Sequence, residues 1–162
     1  MNQQFKFTEI QYFRQWWLWI FLIGLAVFTL YVFYKQLILG VPFGDKPMSD
    51  LGLMVYTVFV ACFIAMFYFM RLKTEINKEE IKIHFAPFTK KTIPWDDVQQ
   101  SELITYGFVG GWGIRLGTKY GTVYNIKGNK GLALELKSGK KLMIGTQRED
   151  ELKELLNKVS LQ

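Results

Sequence analysis

Cysteine and histidine are nearly missing from this chain of 162 residues, which has one of each, Cys62 and His84. A lone cysteine rules out an intrachain disulfide and any metal site built from several thiolates. Cys62 lies inside a long apolar run, so His84 has no thiolate with which to share a zinc ion. No Gly-x-Ser-x-Gly segment is present to position a serine nucleophile, so a triad through His84 has no second member. Proline is scarce too, and none of the four falls inside either of two stretches that lack charge altogether, residues 15–34 and 51–70. Stretches that long without a charged residue exclude an ordinary surface helix, which alternates a polar with an apolar face.

What fills those stretches is hydrocarbon and aromatic surface. Half the residues are hydrophobic, with 14 Phe, 8 Tyr and 5 Trp. Residues 16–34 and 51–70 are each about 20 residues, enough as helix to cross a hydrocarbon core of about 30 Å. A helix satisfies its backbone hydrogen bonds internally, so these runs are expected to be two transmembrane helices. Trp16, Trp17 and Trp19 open the first, Tyr31 and Tyr34 close it, and Tyr68 nears the end of the second, where headgroup interfaces are expected. With Lys35 snorkelling, Leu37–Leu39 extend the first helix by about a turn. Gly40, Pro42, Gly44 and Pro47 mark the turn between them, giving an antiparallel hairpin with both chain ends on one side.

Positive charge sets the expected orientation. Lys6, Arg14, Arg71, Lys73 and Lys78 flank the hairpin, whereas the connecting loop has Lys35 and Lys46. Both termini are therefore expected in the cytoplasm, in a multi-pass protein of the inner (plasma) membrane. Thr57, Ala61 and Ala65 form a small-residue stripe on the second helix. Gly24 on the first is expected to face it within the hairpin, with contact to another subunit as the alternative. No ionisable residue lies inside either span, which argues against a proton relay or ion pathway. Residues 1–15 read either as an interfacial lead-in to the first helix or as a helical extension of it.

From Leu72 the pattern changes to alternation. Ile81, Ile83 and Phe85 oppose Lys82 and His84, and Leu132, Leu134 and Leu136 oppose Ala133, Glu135 and Lys137. Period two over short runs predicts half-buried antiparallel strands, seven or eight between about residues 72 and 146. Thr146 and Glu149 have capping-box spacing, and Leu152, Leu155, Leu156 and Val159 repeat at helical spacing, predicting a closing helix over 147–159. The expected division is residues 1–71 as N-terminal segment and hairpin, and 72–162 as a separable, mainly β domain.

Other motifs have structural readings. Asp96 and Asp97 are adjacent and follow proline and tryptophan, which suits a cap or turn rather than an acid–base pair. The run Gly107–Gly113 is followed by strand-like residues, so no helix N-terminus is there to receive a phosphate. No cofactor and no catalytic residue are expected. Residues 71–162 carry 16 Lys/Arg interleaved with 11 Asp/Glu and lack a base-stacking signature, so nucleic acid is not an expected partner. Arg71 and Lys73 at the membrane junction, with Lys90, Lys91, Lys140 and Lys141 at turns, are the candidate contacts for anionic lipid headgroups.

The order Ile93-Pro94-Trp95-Asp96-Asp97-Val98, then Gly110-Gly111-Trp112-Gly113-Ile114-Arg115, then Tyr124–Gly131, Lys140–Thr146 and a final helix resembles membrane-anchored bacterial proteins with a pleckstrin-homology-like domain. The likeness spans roughly residues 72–158. Glu9-Ile10-Gln11-Tyr12-Phe13 followed by tryptophans is similar to members that begin with a two-helix hairpin. The resemblance implies a curved antiparallel sheet or barrel closed by one helix, in a family mostly without assigned activity. The functional expectation is a non-enzymatic interaction module that binds protein partners, itself as a homo-oligomer, or anionic headgroups of the lipid bilayer. An accessory or sensor subunit of a larger envelope complex, and a lipid-acting enzyme, are the alternatives.

Overall fold

A computed structural model of the protein describes residues 6–160, with side-chain surroundings given up to residue 157. The chain forms two compact units, one running from Arg14 to Phe69, the other made of the residues up to Phe13 together with those from Met70 onward. The second unit is therefore discontinuous, and the helical hairpin is an insertion within it.

The hairpin comprises α1 (Trp16–Phe33), which runs on into a π-helical turn (Tyr34–Ile38), and α2 (Asp50–Phe69). Both helices are long and apolar enough to cross a membrane. Its seam is narrow: Leu22 and Thr29 on α1 and Leu53 and Val60 on α2 are buried, each pair seven residues apart on its helix. Seven residues is close to two turns, so each pair lies on one face. The loop is fastened by Gln36, whose amide donates to Met48 O and to Asp50 Oδ1 at 2.7 and 2.8 Å.

The β-rich unit contains two open sheets rather than a closed barrel. The first has the order β1-β2-β3-β4, with β1 Phe7–Tyr12, β2 Arg71–Ile76, β3 Glu80–Ala86 and β4 Thr89–Pro94, all antiparallel. The second has the order β5-β8-β9-β7-β6, with β5 Val98–Thr105, β6 Gly113–Thr118, β7 Gly121–Asn125, β8 Lys130–Leu136 and β9 Lys141–Gly145. Helix α3 (Glu149–Ser160) follows.

Three expectations are corrected. Residues 7–12 are not a helical extension of α1 but strand β1, paired along its length with β2. The division at residue 71 accordingly gives way to a β-rich unit that starts before the hairpin and resumes after it. The sheet is not wholly antiparallel, because β7 and β9 run parallel, with Thr122 opposite Leu142 and Tyr124 opposite Ile144.

Strand β1 belongs to the sheet because its inward residues have partners there. Phe7 is buried in a row with Ile76, Ile81 and Ile93. Glu9, only 5% exposed, accepts hydrogen bonds from Thr146 Oγ1 at 2.7 Å and the Gln147 N–H at 2.8 Å. Gln11 donates to Gly145 O at 2.7 Å and accepts from the Gln147 amide at 3.2 Å. The Arg148 guanidinium donates to Thr8 O at 2.8 Å. The first strand thereby locks the β9–α3 junction. This alters the expected capping box: Thr146 Oγ1 accepts from the Arg148 N–H, and Glu149 instead pairs with Lys130. Leu152 and Leu155 are buried, Leu156 is half-buried, and Val159 lies outside the described side chains.

Candidate functional site

The register of the first sheet sorts its residues into rows. The inward rows are Gln11, Leu72, Phe85 and Thr89, then Glu9, Thr74, Ile83 and Lys91, buried except at the β4 edge, where Thr89 is half-buried and Lys91 exposed. Between them, on the outer face, stand Tyr12, Arg71 and Ala86, then Ile10, Lys73, His84 and Lys90, then Thr8, Glu75, Lys82 and Thr92. The first two outer rows contain cations, aromatic and aliphatic groups, and no acid. Acids begin in the third row, where Glu75 pairs with Lys6 at 3.2 Å and Lys73 at 3.3 Å. The Lys6 ammonium holds the Glu75 carboxyl below its ordinary value, Lys73 adds to this, and desolvation opposes both.

The acid-free end of this face is where the chain leaves for the hairpin and returns. Tyr12 and Arg71 are direct partners, and only residues 13–15 at one crossing and Met70 at the other separate strand from helix. The β3–β4 turn lies at the same end, since Arg71 also pairs with Ala86. At that turn Phe88 is 56% exposed, although Phe85 beside it is buried. The result is a basic and aromatic rim made of Ile10, Tyr12, Arg71, Lys73, Phe88 and Lys90. Such a rim offers cations to anionic headgroups and apolar groups to the layer beneath.

Of the six basic residues singled out in the sequence, Arg71, Lys73 and Lys90 share this face. Lys91 occupies an inward row at the sheet edge, its ammonium 5.6 Å from the centre of the Tyr124 ring. Lys140 and Lys141 lie at the β8–β9 turn of the other sheet, where Lys141 pairs with Glu135 at 3.2 Å. Phe88 was missed, and Ile10 and Tyr12 fell only within the expected interfacial lead-in, without their sheet partners. Their outward positions are identified by the register alone.

On the hairpin, Thr57, Ala61 and Ala65 line an apolar groove together with Trp19, Ala26 and Thr29. Gly24 is exposed, has nothing within 4 Å of the position a Cβ would take, and does not line the groove. The Thr57 hydroxyl donates to Leu53 O at 2.8 Å, whereas the buried Thr29 hydroxyl has no partner. Among the described residues no group of three or more His, Cys, Asp or Glu side chains could hold a metal ion.

Together these features define a class: a β-rich domain of two open sheets and a C-terminal helix, with a long apolar helical hairpin inserted between its first two strands. The chain belongs to a family of unknown function, DUF6141, whose model matches residues 2–160. That match takes in the hairpin and both parts of the β-rich unit alike. No curated protein matches the chain.

Proposed function

We propose that the protein is a membrane-tethered, non-enzymatic module of pleckstrin-homology-like architecture whose first sheet binds anionic lipid headgroups. Two sheets followed by a C-terminal helix support the fold assignment. Exposed apolar side chains along both helices, among them Phe21, Ile23, Val58 and Phe59, support a bilayer-spanning hairpin. Soluble monomers rarely leave apolar patches larger than a few hundred Å² open to water. The excess of cations flanking the hairpin supports an orientation with both termini in the cytoplasm.

The observation that carries the binding reading is that the two outer rows nearest the Tyr12–Arg71 pair contain cations and no acid. Each cation near an anionic surface contributes about 1 kcal/mol, and salt screens that attraction over about 8–10 Å. The direct pairing of Tyr12 with Arg71 allows a clean test. Replacing residues 13–70 by a two-residue Asn-Gly turn suits a tight hairpin between directly opposed residues. The folded variant is expected to sediment with vesicles containing anionic lipid at low salt and to be released at high salt. Arg71→Gln with Lys90→Gln is expected to weaken binding, while Lys140→Gln with Lys141→Gln leaves it largely intact. A folded variant that ignores anionic vesicles at low salt discards this reading.

A second reading, an accessory subunit of a larger membrane complex, is supported by the apolar groove that Thr57, Ala61 and Ala65 line on the hairpin. Small residues along such a groove let another helix approach closely. Mild-detergent purification followed by mass spectrometry tests it: a stoichiometric membrane partner supports it, and a pure monomer discards it.

A further inference from the structure

We infer that the glycine-rich loop between β5 and β6 is a second membrane-contact element, inserting Phe108 among anionic phospholipids beside the rim. This rests on the headgroup-binding reading and adds a site in the second sheet.

Phe108 is 92% exposed, Leu116 77% and Trp112 41%. Burial of an aromatic side chain is strongly favourable, so an almost bare phenylalanine at a loop tip is a contact surface in waiting. The backbone is built to present it, since Gly110, Gly111 and Gly113 all have positive φ, a conformation that other residues rarely take. The segment that holds the loop carries charge of one sign. Residues 103–134 contain no acid, and Arg115 and Lys119 follow the loop directly, while Lys130 further on is paired with Glu149. The Arg115 guanidinium is steered by the loop, donating to Trp112 O at 2.8 Å, and its Nε is buried with no partner. An aromatic tip with a fixed guanidinium at its base suits a phosphate-bearing interface, where the ring enters the acyl boundary and the guanidinium meets a headgroup.

The stem of the loop is also in the right place. Tyr106 is buried and donates its backbone N–H to Asn129 O at 2.7 Å. Its ring lies over the paired glycines 131 and 145, whose hypothetical Cβ atoms would be 3.2 Å from its Cε1 and 3.3 Å from its Oη. The Gly145 carbonyl accepts the Gln11 amide at 2.7 Å, and Gln11 immediately precedes Tyr12 of the rim. Phe108 is two residues from this stem, so the loop arises beside the strand end that leads to the hairpin.

The test uses the full chain with Cys62→Ala, reconstituted in nanodiscs with and without anionic lipid. Spin labels are placed singly at Phe108→Cys, at Phe88→Cys on the rim and at Glu102→Cys on an exposed strand position. Collisions with oxygen report on hydrocarbon, and collisions with a water-soluble nickel complex report on solvent. The label at 108 is expected to gain oxygen collisions and lose nickel collisions when anionic lipid is present, and Arg115→Gln to reduce that shift. Because Phe108 is almost fully exposed, its replacement leaves the core untouched, and an unchanged melting curve verifies this. A label at 108 as water-accessible as that at 102 in both membranes overturns the inference. So does a label buried equally in lipid-free detergent, which would point to a protein contact. A lipid-protected label at 88 alongside a water-accessible one at 108 leaves the rim reading standing, and water access at both removes the two together.

Discussion

Thr146 Oγ1 donates a hydrogen bond to the Glu9 carboxylate at 2.7 Å across 137 positions of sequence, joining the strand before the hairpin to the residue that leads into the last helix. The same carboxylate accepts the Gln147 N–H. Removing it by Glu9→Ala strands a buried hydroxyl and an amide, at a cost of about 1–3 kcal/mol. Thermal or denaturant unfolding of the full chain in detergent, with Ile10→Ala as an outward-facing control, is expected to show the loss at residue 9 alone. Equal stability of the two variants would remove this contact from the account.

The discontinuity of the β-rich unit makes a sharper prediction about fragments. Residues 72–162 expressed alone lack β1, leaving β2 an unpaired edge and uncovering Ile76 and the β9–α3 junction. That fragment is expected to aggregate or to show poorly dispersed amide resonances. Restoring residues 6–12 through an Asn-Gly turn to Arg71 is expected to give a cooperative unfolding transition. A fragment that melts as sharply without β1 as with it would show that the first strand is dispensable.

Alkaline stability is expected to depend on Tyr106. Burial raises its hydroxyl above the ordinary tyrosine value, and the hydrogen bond from the Asn125 amide, 3.3 Å long, acts in the opposite direction. A folded pKa above the unfolded one of about 10 gives a contribution fully present below that value and lost as pH rises through the folded one. Tyr106→Phe is expected to cost about 0.5–1.5 kcal/mol near neutrality and to flatten the decline above about pH 10. An unchanged alkaline slope would assign that decline to another group.

Topology can be read with cysteines in a Cys62→Ala background. Met48→Cys lies in the hairpin loop and Ser138→Cys in the β8–β9 turn, and both positions are exposed. A membrane-impermeant thiol reagent on intact cells is expected to label position 48 and spare 138. The reverse pattern would overturn the cytoplasmic placement of the β-rich unit.

The strands after residue 70 were legible because their alternation is simple: apolar residues such as Ile81, Ile83 and Phe85 point inward, and Lys82 and His84 outward. Strand β1 inverts that rule. Its inward residues include Glu9 and Gln11, while the outward ones include Ile10 and Tyr12, so its period-two pattern carries the wrong polarity for a half-buried strand. Burying Glu9 is affordable only because Thr146 and Gln147 supply donors from far along the chain. The candidate rim was half legible for the same reason. Charge and position picked out Arg71 and Lys73, but Lys90 and Lys91 are neighbours that fall on opposite faces, and only the register separates them.

Local chemistry alone determined the two long helices, the strand-forming character of residues 72–146 and the helix after Thr146. Runs without charge, period-two alternation and helical spacing each act within a few residues, so no distant partner is needed to read them. Tertiary structure decided that the first strand joins the last elements, that two strands run parallel, and which cations share a face. Those outcomes depend on hydrogen-bond partners and register between segments far apart in sequence, where a polar residue becomes a core residue once its partner arrives.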